Sequence, residues 1–130
     1  MKNVIVSTLI VIVLSAGVCI FAVRTVDEAC DVMEQVRLEA VRACESGNME
    51  AALKCMERMQ TLWQERSGVL SVVLQHTSVA EIGTALIESR YDLLAGEPDE
   101  FIGNMALLEE LLHRLKEDER LYLSNILSIC

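Results

Sequence analysis

The sequence predicts an all-α protein: an N-terminal transmembrane helix followed by two stacked antiparallel helical hairpins, a four-helix array or bundle. Three observations lead there. Val4 to Val23 is a run of twenty residues without a charge. After it, apolar residues recur at steps of three and four, the helical spacing, rather than alternating. Finally, "SGNMEAALKCM" (Ser46 to Met56) aligns with "AGEPDEFIGNM" (Ala95 to Met105) at an offset of 49 residues, each carrying a glycine where a helix turns back.

The first element is the apolar run. Thirteen of its twenty residues are Val, Ile, Leu or Phe, and as a helix it spans about 30 Å, the thickness of a bilayer's hydrocarbon core. Three fates compete for it. A cleaved secretory signal has Lys2 and an apolar core in its favour, with Ser15 and Gly17 as small residues for a cleavage site. Against it, Val18 to Val23 stays apolar where a cleavage region turns polar. A lipoprotein site needs a small residue directly before Cys19, and Val18 stands there instead. A retained anchor, residues 1–23, fits best. Lys2 precedes the span while Asp27, Glu28 and Asp31 soon follow it, which favours a cytoplasmic N-terminus and an extracytoplasmic C-terminal domain at the cell membrane. Ser15 and Cys19 form a small-xxx-small pair through which two anchors would approach as a homodimer.

The remaining residues, 24–130, suffice for one small domain with one core. All twenty acids fall here with ten of the eleven bases, a formal charge of −10. Such a domain repels phosphate backbones and anionic headgroups, so nucleic acid and peripheral membrane binding are set aside.

The domain divides into a hairpin over 25–66, a connector over 67–78 and a hairpin over 79–130. Val26, Cys30, Met33, Ala40 and Cys44 lie on one face of the first helix, with Arg37 interrupting. Gly47 suits a left-handed C-terminal cap and Asn48 the start of the next helix. That helix carries Met49, Ala52, Met56, Met59 and Trp63. The stretch Ser67 to Thr77 is apolar and β-branched, but no second strand exists to pair with it, so it reads as a short helix or a buried connector. Ser78 and Glu81 have capping-box spacing before the third helix. Gly96 ends that helix and Pro98 fits the first turn of the fourth, which carries Phe101, Met105, Leu108, Leu112 and Leu115. Tyr122, Ile126 and Ile129 continue that spacing, so the last helix either runs nearly to the C-terminus or breaks at the charged patch Lys116 to Arg120, which reads as solvated.

Chemistry-bearing residues are few. Glu110 and His113 share a helix face at a spacing used by di-iron bundles, but such sites need two copies, and Val73 stands three residues before His76, the other histidine. His76, placed just before a helix start, suits a structural hydrogen bond there. Trp63 and Arg66 lie three apart and read as a core tryptophan with a neighbouring cation, or as a binding hot spot. The domain's cysteines Cys30, Cys44, Cys55 and Cys130 lack C-x-x-C spacing. Cys30 and Cys44 sit about 21 Å apart on one helix, too far to bridge, and read as core residues, while Cys130 could pair between molecules. No nucleophile–histidine–acid set and no glycine-rich phosphate loop is present, so no enzyme, cofactor or metal is expected.

"GNMEAAL" (Gly47 to Leu53) resembles the turn of a tetratricopeptide repeat, with Ala52 at the close-packing position. The 49-residue spacing and the residues Glu39, Ala43 and Gln64 depart from that repeat. A fuller resemblance rests on the opening "MKNVIVSTLIVIVL", the Gly47 turn leading to Trp63 to Arg66, His76, the Ala95-Gly96 turn before Glu100-Phe101, and Asn125 to Leu127. On these the chain is similar to a family named domain of unknown function 4363. That resemblance implies a membrane-anchored helical domain from Gram-positive bacteria and lends no activity. The expectation is therefore a single-pass membrane protein acting as a protein–protein interaction module. The alternative is a small-molecule or metal sensor using the groove near His76 and His113.

Overall fold

A computed structural model describes residues 1–73 and 76–129, apart from the side chains at 69, 71–73, 76, 122, 123, 126, 127 and 129. The apolar run is helical for an evident reason: Leu, Ile, Val and Ala satisfy every backbone group internally, and its few hydroxyls are silenced locally. Ser7, Thr8 and Ser15 each donate to the carbonyl four residues earlier at 2.7–2.8 Å, as does Thr25 just beyond. The helix does not stop at the end of the run. α1 (Lys2–Glu45) is continuous through 44 residues, so the apolar run and the first bundle helix are one rod about 66 Å long.

α2 (Met49–Val73), α3 (His76–Leu94) and α4 (Pro98–Ile129) complete the chain, with no strand among the described residues. α1 packs on α2 and α4, and α3 packs on the same two, while the diagonal pairs do not touch. The result is an up-down-up-down four-helix bundle from which the first half of α1 projects. Each neighbouring pair carries a side-chain tie that sets its register. Arg58 of α2 meets Glu39 of α1 at 3.3 Å, Arg90 of α3 donates to Gln60 of α2 at 3.4 Å, Asn104 of α4 donates to Asp92 of α3, and Lys116 of α4 pairs with Asp31 of α1.

The two turns at the far end are built alike. Gly47 and Gly96 hold φ of 80° and 72°, the left-handed region. The amide of Asn48 donates to Ala43 O and that of Gly47 to Cys44 O; the amides of Glu97 and Gly96 repeat this with Asp92 and Leu93. This is the paired bonding of a Schellman cap. Asn48 Oδ1 then accepts from the Ala51 amide at 3.2 Å, and Pro98 opens α4 as expected.

Burial follows the 49-residue offset through the core. Met33 and Ile82, Ala40 and Ser89, Ala52 and Phe101, Met56 and Met105, and Trp63 and Leu112 are all buried pairwise. Ser89 keeps its buried hydroxyl satisfied by donating to Ala85 O at 2.6 Å.

Two local expectations change, and one open choice is decided. The connector over 67–78 shrinks, because α2 runs on to Val73 and α3 begins at His76; Leu70, 1% exposed, gives the extra turns of α2 a core contact that outweighs their β-branched composition. Ser78 consequently lies inside the first turn of α3 rather than capping it. For α4 the longer of the two courses holds: the helix passes through Lys116 to Arg120 without a break and continues to Ile129.

Candidate functional site

Two features stand out beyond the core. The first is on α3, which carries two apolar seams. One, with Ile82, Leu86, Ser89 and Leu93, faces the bundle. The other, Thr77, Ala80, Thr84, Ile87, Tyr91 and Leu94, steps by three and four along the opposite face, and every member is exposed. Ile87, Tyr91 and Leu94 leave 64–70% of their surface to solvent. Beside the first half of this seam runs an open groove of about 680 Å³ between α3 and α4. Thr77, Ala80 and Thr84 form its shallow wall and Leu107 and Leu111 its apolar floor. Glu81 and Glu88 rim it, while Arg114 is held by Glu110 at 2.8 Å.

The second feature is a cluster of buried charge where α1 and α4 meet near the projecting helix. Glu119 is 2% exposed, and its Oε2 has no hydrogen-bond partner among the described residues; the same is true of Asp27 Oδ1 opposite. Burial pushes the Glu119 carboxyl above the usual carboxylate range, and the negative charge of Asp27 adds to it. Cys30 shares this environment. Burial pushes its thiol up to about 12, with Lys116 opposing and Asp27, Asp31 and Glu119 reinforcing, so it is an inert core thiol. Lys116 is held charged chiefly by its hydrogen bond to Asp31. No group of three metal-ligating side chains occurs among the described residues.

A second buried charge, Arg37, is fully engaged. Its Nε donates to Glu34 Oε2 at 2.8 Å, its Nη2 reaches the other oxygen of Glu34, and Glu109 Oε2 lies 3.3 Å away on α4. The hydrogen bond to Glu34, against the opposing cost of burial, raises its already high pKa. What interrupted the apolar spacing of α1 is therefore a guanidinium clamp between two helices.

The residues expected to matter are scattered. Trp63 is a core residue, 5% exposed, and an added Cβ at Gly83 would stand 3.8 Å from its Nε1, so α2 and α3 approach closely there. Arg66 is half-buried and lines a shallow dimple with Trp63, Ala29 and Met33, against α1. Glu110 turns to Arg114, its carboxyl lowered by that hydrogen bond, while Glu109 turns to Arg37. His113 consequently pairs with Glu117 at 3.1 Å, not with Glu109 or Glu110. The side chain of His76 and the whole of Cys130 lie outside the described residues. The backbone register set by Asp92 and Asn104 places position 76 opposite residues near 120, about two turns beyond His113. The two histidines thus lie at different levels along the α3–α4 seam. Cys30 and Cys44 are buried free thiols, and Cys55 is half-buried. The orphan at Glu119 escaped the sequence reading, which took the whole of Lys116 to Arg120 as solvated; the offset signal was available, since Glu119 lies 49 residues after Leu70.

Fold and surface together define a class: a four-helix bundle on an apolar helical extension that is long and apolar enough to cross a membrane and whose apolar window is not buried by the rest of the chain. The chain belongs to the family Domain of unknown function (DUF4363), whose model matches residues 20–126. Comparison with curated proteins and with solved structures gives no match.

Proposed function

We propose that the protein is a single-pass membrane protein whose N-terminus is cytoplasmic and whose acidic bundle stands outside the cell membrane as an interaction module. Binding rather than catalysis is its task. Its occupant is an amphipathic helix with basic flanks, received along the outer face of α3 and the α3–α4 groove. The exposed second seam of α3 carries this reading: six residues at coiled-coil spacing are all exposed, and the three large apolar ones leave 64–70% of their surface to solvent. Ala80 and Thr84 are small enough to admit a close helix, and Leu107 and Leu111 supply apolar floor. Glu81 and Glu88 beside the seam set the sign of the partner's flanks and oppose α3-to-α3 pairing between two copies. Self-association, where it occurs, would run through Ser15 and Cys19 of the anchor.

Photo-crosslinking in the native membrane tests this. A crosslinkable residue at Thr84 or Ile87 is expected to give one adduct of common mass. Lys54, exposed on α2, should not give it, and Tyr91→Asp should abolish it. Equal adducts from all three positions, or none from Thr84 and Ile87, would refute the docking face.

A further inference from the structure

α4 is longer than the bundle needs. The register of α1 against α4 is set by Arg37 with Glu109, Asp31 with Lys116, and Asp27 facing Glu119. The paired numbers sum to 146 or 147, so residue 129 comes level with residue 17 of α1. Residues 4–23 are the apolar run. The end of α4 therefore descends about six residues, roughly 9 Å, below the level of Val23.

Burial on α1 agrees. Cys19, Ala22 and Val23 are half-covered, whereas Val18, Ile20 and Phe21 are exposed. α2 ends above Cys19: the Glu39–Arg58 tie puts Val73 level with residue 24, and the packing of Trp63 and Arg66 against Ala29 and Met33 puts it level with residues 22–23. α3 begins at His76, which the Asp92–Asn104 register puts level with residue 120 of α4 and so with residues 26–27 of α1. Of the other described helices, only α4 extends past Cys19.

Composition points the same way. After Arg120 the sequence LYLSNILSIC contains no charge. Leu121 exposes 63% of its surface, and Ser128 donates its hydroxyl to Asn125 O at 2.9 Å, quieting it as the anchor's hydroxyls are quieted. Arg24 and Arg120, both exposed, fall close to one level just above this zone, where guanidinium groups meet lipid phosphates.

We propose that residues 121–129 of α4 form a second membrane contact, lying in the headgroup–acyl boundary of the bilayer that α1 crosses. This rests on the reading of α1 as a membrane span. A depth of about 5–10 Å is that of interfacial helices, and there the free carbonyls of a helix end still find water. Two elements entering the same leaflet side by side, one of them continuous with the anchor, hold the bundle upright on the membrane and close to it.

The test uses the full chain, with its native cysteines replaced by alanine, in phosphatidylcholine–phosphatidylglycerol vesicles. An environment-sensitive fluorophore is placed by Ser128→Cys, Val13→Cys or Glu100→Cys, with Ser124→Cys as a second site on α4. Collisional quenching from the aqueous phase is measured. The expected order is fastest at Glu100→Cys, roughly threefold or more slower at Ser128→Cys and Ser124→Cys, and slowest at Val13→Cys. Quenching at both α4 sites as fast as at Glu100→Cys, with Val13→Cys still protected, would overturn this proposal and leave the span standing. Fast quenching at Val13→Cys would overturn the span reading and this one with it.

Discussion

The two hairpins bury the same positions with different residues. Offset by 49, they match at both glycine caps and through the core. They part in charge at two buried sites. Arg37 of the first hairpin stands where the second has Leu86, and Glu119 of the second stands where the first has Leu70. Arg37 has carboxylates from its own helix and from α4, while Glu119 faces another acid. Equal burial therefore has unequal consequences: one charge clamps two helices and the other strains the seam nearest the anchor. A repeat in burial specifies shape; what each position contributes depends on its partner.

The largest expected effect breaks the match in size. Phe101 and Ala52 are equivalent and fully buried, so the second hairpin fills with one ring what the first fills by close helix approach. Phe101→Ala should cost about 3–5 kcal/mol, read by denaturant unfolding of the detergent-solubilised chain; a cost below about 1 kcal/mol would deny Phe101 its core role. Next, Glu119→Leu copies Leu70 into the second hairpin and should stabilise by about 2 kcal/mol near neutral pH.

The same substitution has a pH signature. Folding raises the Glu119 pKa above its unfolded value of about 4.3, so the folded chain keeps a proton that the unfolded chain has released. Its stabilising share is full below the unfolded value and is lost as pH rises through the folded one. Asp27, Cys30 and Asp31 from α1, with Lys116 on α4, form the charged surroundings. The gap between Glu119→Leu and wild type should widen as pH climbs from about 4 and then level off; a gap independent of pH would mean that folding does not shift the Glu119 pKa. The smallest effect tests what the hairpins share. Gly47→Ala and Gly96→Ala should each cost about 1 kcal/mol by the same unfolding measurement, since φ is left-handed at both and no atom lies within 4 Å of either added Cβ. Markedly unequal costs would show that the caps are not equivalent.

Local chemistry explains what could be read in advance. Gly47, Asn48, Gly96 and Pro98 announce the turns because each is the residue its backbone position demands, and the apolar run announces α1. The helical hairpins follow from spacing alone. Reading stopped where tertiary contact decides. The stretch after Arg66 has strand-like composition, yet Leu70 finds the core and α2 extends. Ser78 has a cap's spacing, yet the helix starts before it. Glu119 sits in a charged pentad, and only its place in α4 buries it. The outer seam of α3 was missed because Thr77, Ala80 and Thr84 look like filler until the backbone shows Ile87, Tyr91 and Leu94 aligned with them in solvent.

The central claim is that residues 4–23 remain on the chain as its membrane anchor. Intact-mass analysis of membranes washed at alkaline pH tests it most directly. The account predicts an unprocessed chain of 14.5 kDa retained in the washed membranes. A mature protein beginning at or near Val18, a lipid-modified Cys19, or full-length chain released by the wash would contradict it.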